Sequence, residues 1–213
     1  MAAPQQRPPR TLAEGTLRRM PTQGRALDKV NRALDAAERL LHQEGVDAIT
    51  MPRVAEEAGV SVGALYQYLP DREAIVAALS AEYHARLEGL MDDIVARHAE
   101  LVTDDPVSSV IGAVAELYRD QSGTRALRAG LQSSAQSQLS RAHKQRMVAK
   151  VRRLLVVTGV LRDGQSEAVA RTLFFAADAL MHEAFAEDGD GDAQLLEQLT
   201  LMLRAYLSAV EGG

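Results

Sequence analysis

Apolar residues recur at steps of three and four along most of this chain, and no segment alternates between apolar and polar residues over the length of a strand. Such steps place apolar side chains on one face of an α-helix. Aromatic residues make up only 4% of the 213 residues, whereas Ala and Leu, which lose little side-chain freedom in a helix, are abundant. The longest run contains Val76, Leu79, Tyr83, Leu87, Leu90 and Ile94. The pattern predicts an all-α fold of about nine helices.

Two short helices joined by a tight turn are predicted between Thr50 and Leu69. Thr50 and Ser61 suit the N-cap positions because a hydroxyl can accept a hydrogen bond from an unpaired backbone N–H. Helix N-termini of this kind also suit a phosphate. Gly59 is expected to end the first helix, since Gly tolerates a positive φ, and Pro70 to end the second. The arrangement is typical of a helix-turn-helix, whose second helix can enter a DNA major groove.

Capping residues and helix breakers set the expected bounds of the other helices. Gly45 is expected to end the first helix, and Asp71 to cap a long one. Asp105-Pro106 is a typical helix start, while Asp163 and Ser166 are rival caps for a later helix. The predicted helices cover about 25–44, 51–58, 62–69, 72–98, 106 to near 123, 125–131, 139 to near 159, 165–187 and 194–210.

The outer face of the second short helix carries the side chains suited to DNA. Gln67 can make a bidentate pair with adenine, and Val62 can contact a thymine methyl group. The hydroxyls of Tyr66 and Tyr68 can reach phosphates. Gly63 lacks a side chain and allows close approach of the sugar-phosphate backbone. For Gln67 and the two tyrosines, ordinary surface or core positions are the alternative.

From about Ala33 to Leu79 the chain resembles the DNA-binding domain of the TetR family of transcriptional regulators. The resemblance lies in an ordered set of motifs rather than in any one of them. The set comprises Ala36-Ala37, Gly45, Thr50-x-x-x-Val54-Ala55, Ala58-Gly59-Val60-Ser61, Gly63-x-Leu65-Tyr66-x-Tyr68, and Pro-Asp-Arg-Glu-Ala at 70–74. The second half of the chain agrees with the family only in the number, length and order of its helices.

The resemblance implies a role for each matching position. It implies phosphate contacts for Thr50, Tyr66 and Arg72, base contacts for Val62, Gly63, Gln67 and Tyr68, and an arm contact for Arg25, upstream of the first helix. The chain departs from the family pattern at two positions. A Lys is frequent where Val62 stands, so one phosphate contact is in doubt, and a Phe is usual where Leu69 stands, so one core anchor is smaller.

The net charge of −5 is unevenly distributed along the chain. Residues 1–35 carry seven basic and three acidic side chains, whereas residues 154–213 carry three basic and ten acidic ones. A basic segment on an acidic body suits a DNA contact at one end, although a basic tail with no binding role gives the same pattern. Residues 1–24, which are rich in Pro, are predicted to be a disordered arm.

We expect a helix-turn-helix domain over 25–71 and an effector-binding and dimerisation domain over 72–213. One helix-turn-helix covers only a few base pairs, so specificity calls for a homodimer on a near-palindromic operator. The last two predicted helices are candidates for the dimer interface. We expect a repressor, since repression is the commoner outcome in this family, and a small, largely apolar effector that releases it from the operator. This effector is expected to contact Leu117, Tyr118, Leu131, His143, Met147, Phe175 and Asp178.

Other classes of protein find less support in the sequence. The five His residues form no His-x-x-x-His pair, and no phosphate-binding loop or nucleophile motif is present, so we expect no enzyme and no cofactor. Asp178 and His182, four residues apart, could bind a metal or a polar effector, or could simply stabilise their helix. A helical interaction module that does not bind DNA is a further alternative. Without Cys, an N-terminal signal segment or a long apolar run, we expect a cytoplasmic protein.

Overall fold

A computed structural model describes residues 24–100, 105–120, 134–162 and 167–211 of the chain. Within these ranges the regular elements are eight α-helices and one short 3-10 turn, Val46–Ala48, and there is no strand, which confirms the all-α prediction. The helices are α1 (Gly24–Glu44), α2 (Met51–Ala58), α3 (Val62–Tyr66), α4 (Arg72–Glu100), α5 (Pro106–Asp120), α6 (Ser134–Val157), α7 (Glu167–Ala184) and α8 (Ala193–Glu211). The helix predicted at 125–131, the rival caps Asp163 and Ser166, and nearly all of the predicted arm lie outside the described residues.

The chain divides into two compact units, Met1–Ala85 and Arg86–Gly213. The boundary lies within α4, so the first part of that helix belongs to the first unit and the remainder to the second. The first unit contains α1, α2 and α3, and the second contains α5 to α8. No helix among the described residues is both long and apolar enough to cross a lipid bilayer.

The core of the first unit forms around the apolar face predicted for α1. Val30, Leu34, Ala37 and Leu41 on that face are at most 2% exposed. Because Ala33 and Ala37 are small, α2 can pack closely against α1. This packing holds the two short helices of the predicted helix-turn-helix against the hydrophobic core of the first unit.

Two glycines end helices in the first unit as predicted. Gly45 follows α1 with φ 86°, and Gly59 follows α2 with φ 62° and ψ 39°, the left-handed conformation. The N–H of Gly59 donates to the carbonyl oxygens of Ala55 and Glu56, which satisfies the end of α2. A residue with a Cβ is strained in this conformation, so the turn between α2 and α3 depends on Gly59.

Helix α3 is shorter than predicted, because it ends at Tyr66 rather than at Leu69. The next two residues form a turn, in which the N–H of Tyr68 donates to the carbonyl of Leu65 at 3.1 Å. Pro70 disfavours helical backbone at the residue before it. Leu69 therefore leaves the helix, and its side chain is fully buried in the core of the first unit.

In the second unit, the start of α5 is bonded to α8. The Asp105 carboxylate accepts hydrogen bonds from the N–H groups of Val107 (3.1 Å) and Ser108 (3.3 Å), as expected of an N-cap. The same carboxylate accepts a hydrogen bond from Nε of Arg204 at 2.7 Å. One acidic side chain thus caps α5 and links it to the last helix.

The turn between α7 and α8 is closed over a buried ring. Helix α7 ends at Ala184, three residues earlier than predicted, and Phe185 is fully buried directly after it. Gly191 has φ 83°, and a Cβ built there would lie 2.6 Å from Cζ of Phe185. Asp192 then caps α8 through its carboxylate, which accepts from the N–H of Leu195 at 3.0 Å. The glycine is needed here for both its φ and its lack of a side chain.

Candidate nucleic-acid interface and ligand cavity

Helix α3 turns one face into the core of the first unit and the other to solvent. Leu65 is 3% exposed and anchors the helix, whereas Val62 and Tyr66 are 38% and 43% exposed. Gly63 and Gln67 are also exposed, and Tyr68 is half-buried. The structure thus brings the predicted base-contacting side chains together on one short helix and the turn after it. The exposed face of α3 thus offers two large side chains, Val62 and Tyr66, for contact with a partner.

Both predicted N-caps hold the starts of the two short helices. The Thr50 hydroxyl accepts from the N–H of Arg53 at 3.4 Å, and the Ser61 hydroxyl accepts from the N–H of Ala64 at 3.2 Å. Both hydroxyls belong to exposed residues. A hydroxyl at an exposed helix N-terminus can also donate to a phosphate oxygen.

The protein itself does not require a glycine at position 63. A Cβ built on Gly63 meets no other atom within 4 Å, and its backbone does not have a positive φ. Gly within a helix destabilises it relative to Ala. Packing within the described part of the chain therefore does not explain the absence of a side chain at this position.

The two arginines implied to contact DNA have different surroundings. Arg72 donates from one guanidinium nitrogen to the carbonyl of Val46 at 2.7 Å and to Asp47 at 3.0 Å, and its Nε is buried without a partner in the structure. Its guanidinium thus binds the start of α4 to the 3-10 turn. Arg25 is exposed, but it lies in the first turn of α1 rather than upstream of that helix.

A cavity of about 110 Å³ lies inside the second unit. All five described helices with residues in this unit line it. Its lining is mostly aliphatic, with Met, Pro and Phe among the other apolar residues, and its polar members are Tyr118, His143 and Asp178. The apolar members are Leu87, Met91, Pro106, Val107, Val110, Ile111, Val114, Met147, Val151, Leu154, Leu155, Leu173, Phe174, Ala177, Met181, Leu203 and Leu207.

Asp178 is the centre of one polar cluster beside the cavity. Its Oδ2 lies 3.2 Å from Nζ of Lys144 on α6, and its Oδ1 lies 3.4 Å from Nε2 of His182 one turn further along α7. The other ring nitrogen of His182 shares a hydrogen bond with the hydroxyl of Tyr118 on α5. Three helices are thus connected through one mostly buried carboxylate.

A second polar cluster joins α4 to α6. Nδ1 of His143 lies 2.8 Å from Oε1 of Glu88, and Nε of Arg146 donates to Oε2 at 2.8 Å. Burial lowers the pKa of His143 below its ordinary value, although the hydrogen bond to Glu88 acts in the opposite direction. Burial raises the pKa of Glu88, but the hydrogen bonds from Arg146 and His143 outweigh it and leave that pKa below its ordinary value.

Four of the seven residues expected to contact an effector lie in the cavity lining: Tyr118, His143, Met147 and Asp178. Leu117 is half-buried on α5 and Phe175 is 42% exposed, and neither lines the cavity. Tyr118, next to Leu117, and Phe174, next to Phe175, point into the cavity instead, because successive residues of a helix point about 100° apart. The remaining residue, Leu131, lies outside the described residues.

Sequence reasoning missed Glu88 and Lys144, which complete the two polar clusters. Both are charged residues on amphipathic helices, where a solvent-facing position is the usual expectation. Their partners His143 and Asp178 lie 55 and 34 positions away in the chain, so no local spacing could have indicated them. Among the described residues there is no group of three or more His, Cys, Asp or Glu side chains placed to hold a metal ion.

Two protein-family models match the sequence. The model of bacterial regulatory proteins of the tetR family matches residues 33–79, and that of the tetracyclin repressor-like C-terminal domain matches residues 103–207. The first match includes the helix-turn-helix, and the second includes α5 to α7 and most of α8. An uncharacterised HTH-type transcriptional regulator of Mycobacterium bovis is 27% identical over 194 residues, which cover 84% of this chain and 95% of the relative.

Solved structures of related proteins share the fold. A TetR-family transcriptional regulator from Streptomyces coelicolor has a TM-score of 0.61 and 23% identity, and the match covers 87% of this chain and 98% of the other. A SmeT–triclosan complex has a TM-score of 0.61 and 22% identity, and the match covers 85% and 90%. SmeT is described as the repressor of the Stenotrophomonas maltophilia multidrug efflux pump SmeDEF.

Proposed function

The chain belongs to the TetR family of DNA-binding transcriptional regulators, and on this premise we propose that it is a homodimeric repressor released from its operator by a small, largely apolar effector. The operator is a near-palindrome, because each copy of the helix-turn-helix reads one half-site. We place the protein in the cytoplasm, where its DNA lies, and we ascribe no catalytic activity to it.

The observation that carries this proposal is the exposed face of α3. Val62 and Tyr66 are exposed to solvent, and Gly63 lies between them in the sequence. Leu65 anchors the same helix in the hydrophobic core of the first unit. Bases are then read by Gln67 and Val62, and phosphates are contacted by Thr50, Ser61, Tyr66 and Tyr68. Helix α3 contains no charged side chain, so its contribution to binding comes from hydrogen bonds and apolar contacts rather than from charge.

A second copy of the chain is proposed to cover the exposed apolar residues of α7 and α8. Phe175, Leu201 and Met202 are 42%, 58% and 41% exposed in the single chain. Large apolar side chains that are exposed on two packed helices are typical of a subunit interface. The two-fold axis of such a dimer would present two recognition helices about 34–36 Å apart, one turn of B-DNA.

The cavity of the second unit is the proposed effector site. The lining is apolar apart from a few convergent polar groups, as expected of a small-molecule site. Two lining residues, Leu87 and Met91, belong to α4, the helix whose N-terminus follows the helix-turn-helix. We propose that a bound effector displaces this helix and thereby alters the separation of the recognition helices. A coupling of about 1–3 kcal/mol would weaken operator binding by about 5–150-fold.

The proposed function is tested by fluorescence anisotropy with DNA that flanks the protein's own gene, titrated at several salt concentrations. We expect tight binding with a steep salt dependence, and loss of that binding in Tyr66→Ala/Gln67→Ala. Gln43→Ala, an exposed substitution on α1, is the matched control and should bind as the unmodified chain does. Binding no tighter than to random DNA, with every flanking fragment and at low salt, would contradict the proposal.

A further inference from the structure

Most of the helix-turn-helix carries no cation of its own. Residues 54–71 contain three acidic side chains, Glu56, Glu57 and Asp71, and no Lys or Arg. DNA, in contrast, carries one negative charge for about every 1.7 Å of its axis. A segment that is itself net negative gains no charge attraction from DNA, so the attraction to phosphates has to come from cations outside this segment.

The described part of the first unit, residues 24–85, contains six Lys and Arg side chains. Three of them form ion pairs with N···O distances of 3.9, 2.6 and 3.0 Å: Arg39–Glu57, Arg53–Glu44 and Arg72–Asp47. The other three are Arg25, Lys29 and Arg32, whose side chains form no ion pair or hydrogen bond with any residue that the structure describes. These three cations are therefore the ones that can bind a phosphate without first breaking such an ion pair.

Arg25, Lys29 and Arg32, here called the α1 stripe, lie on one face of α1. They are separated by steps of four and three residues, which place side chains next to one another along a helix, and all three are exposed. Nη1 of Arg32 lies 3.8 Å from the position of a Cβ built on Gly59, the residue that ends α2. One end of the stripe therefore lies beside the turn between α2 and α3.

The dimensions of the α1 stripe suit a strand of DNA. Seven residues of helix rise by about 10 Å, and successive phosphates of one strand are about 3.4 Å apart along the axis, so the stripe can face about three phosphates. Resting on the proposed function, we propose that the α1 stripe binds the phosphates beside the half-site that α3 reads. Lys29 and Arg32 thus join Arg25 as backbone contacts and supply affinity that is independent of base sequence.

The salt dependence of DNA binding tests this proposal in the variant Arg25→Gln/Lys29→Gln/Arg32→Gln. Fluorescence anisotropy is measured with the full-length protein at several salt concentrations, on DNA that flanks its own gene and on a random duplex of the same length. Each lost phosphate contact lowers the slope of log K against log salt by about one, so the variant should lower it by about three on both duplexes. Gln has nearly the helix propensity of Arg and Lys, and thermal unfolding verifies that stability is kept.

Two matched variants distinguish the stripe from charge in general. Arg25→Lys/Arg32→Lys keeps both charges and should keep the salt slope of the unmodified chain. Arg97→Gln/Arg153→Gln/Arg171→Gln removes the same amount of charge from exposed positions of the second unit, and it should also leave the slope unchanged. An unchanged slope in the stripe variant, or an equal decrease in the second-unit variant, would overturn the proposal.

The random duplex allows this proposal and the proposed function to fail independently. Equal weakening of flanking and random DNA in the stripe variant would support the stripe, whereas a loss confined to flanking DNA would contradict it, because backbone contacts carry no sequence information. If the unmodified chain bound every flanking fragment no tighter than random DNA, and its slope still fell in the variant, the stripe would stand and the proposed function would not. No binding to any duplex at low salt would contradict both.

Discussion

Nδ1 of His143 on α6 lies 2.8 Å from Oε1 of Glu88 on α4, so a mostly buried imidazole is held by a carboxylate 55 positions earlier in the chain. The same carboxylate binds Arg146 through its other oxygen. Glu88 is paired and partly buried, and His143 lines the cavity. This one contact therefore links the stability of the second unit to the lining of its cavity.

Acidification is expected to destabilise the second unit in two steps. The pKa of His143 is lowered from 6.5 and that of Glu88 from 4.5, so the folded state binds fewer protons than the unfolded state at both residues. Stability therefore falls first as the pH drops from about 6.5 through the folded pKa of His143, and again as it drops from about 4.5 through that of Glu88. Urea unfolding at a series of pH values measures this.

The residue responsible for the first step can be identified by substitution. His143→Asn keeps an N–H group near the position of Nδ1 but does not titrate, so the loss of stability between about pH 7.5 and pH 5 should become smaller. His42→Asn, at an exposed position on α1, is the control. An unchanged slope in His143→Asn would mean that protonation of His143, whose ring Glu88, Asp178 and Arg146 surround, does not cause the first step.

Gly63→Ala is expected to separate DNA binding from stability. The added Cβ meets no protein atom within 4 Å, and Ala is favoured over Gly in a helix by up to about 1 kcal/mol. The variant should therefore be as stable as the unmodified chain, or slightly more stable, while its affinity for the operator falls. Thermal unfolding and anisotropy measure the two properties.

Gly112→Ala is the matched control for that experiment, since Gly112 lies within α5 and an added Cβ there also meets nothing within 4 Å. It should raise stability without any change in operator affinity. Equal operator affinity for Gly63→Ala and the unmodified chain would show that no DNA group approaches this part of α3 closely.

Gly191→Ala is expected to destabilise the protein by roughly 2–4 kcal/mol, because it adds both backbone strain and a clash with a buried ring. The backbone has φ 83°, and the new Cβ would lie 2.6 Å from the ring of Phe185. Gly45→Ala isolates the first cause, since Gly45 has φ 86° and open space around it. Chemical denaturation of both variants gives the comparison, and equal losses would rule out the clash as a significant cost.

Arg72→Met is expected to lower stability by about 1–2 kcal/mol, mainly through loss of the charge-assisted hydrogen bond to the carbonyl of Val46 at 2.7 Å. The contact with Asp47 should add little, because that side chain is 96% exposed. Denaturation of Arg72→Met and of Asp47→Ala distinguishes the two contacts. A phosphate contact by Arg72 would appear separately, as a decrease of about one in the salt slope of operator binding.

The sequence by itself determined the features that depend on neighbours within one or two turns. Gly59 and Asp71 mark helix ends, and the exposed and buried sides of α3 follow from 3.6 residues per turn and from the anchor Leu65. Caps, breakers and periodicity act over a few residues, so they can be recognised in a single sequence. The motifs from Ala33 to Leu79 indicated the family for the same reason.

The tertiary structure alone decided which residues of the second unit meet at the cavity. Tyr118, His143 and Asp178 come from three helices, and their convergence depends on how each helix is rotated about its axis when the apolar faces pack. A rotation of one position, about 100°, exchanges Phe174 in the lining for Phe175 in solvent. Both residues are equally apolar, so periodicity could not choose between them, whereas packing against the neighbouring helices did.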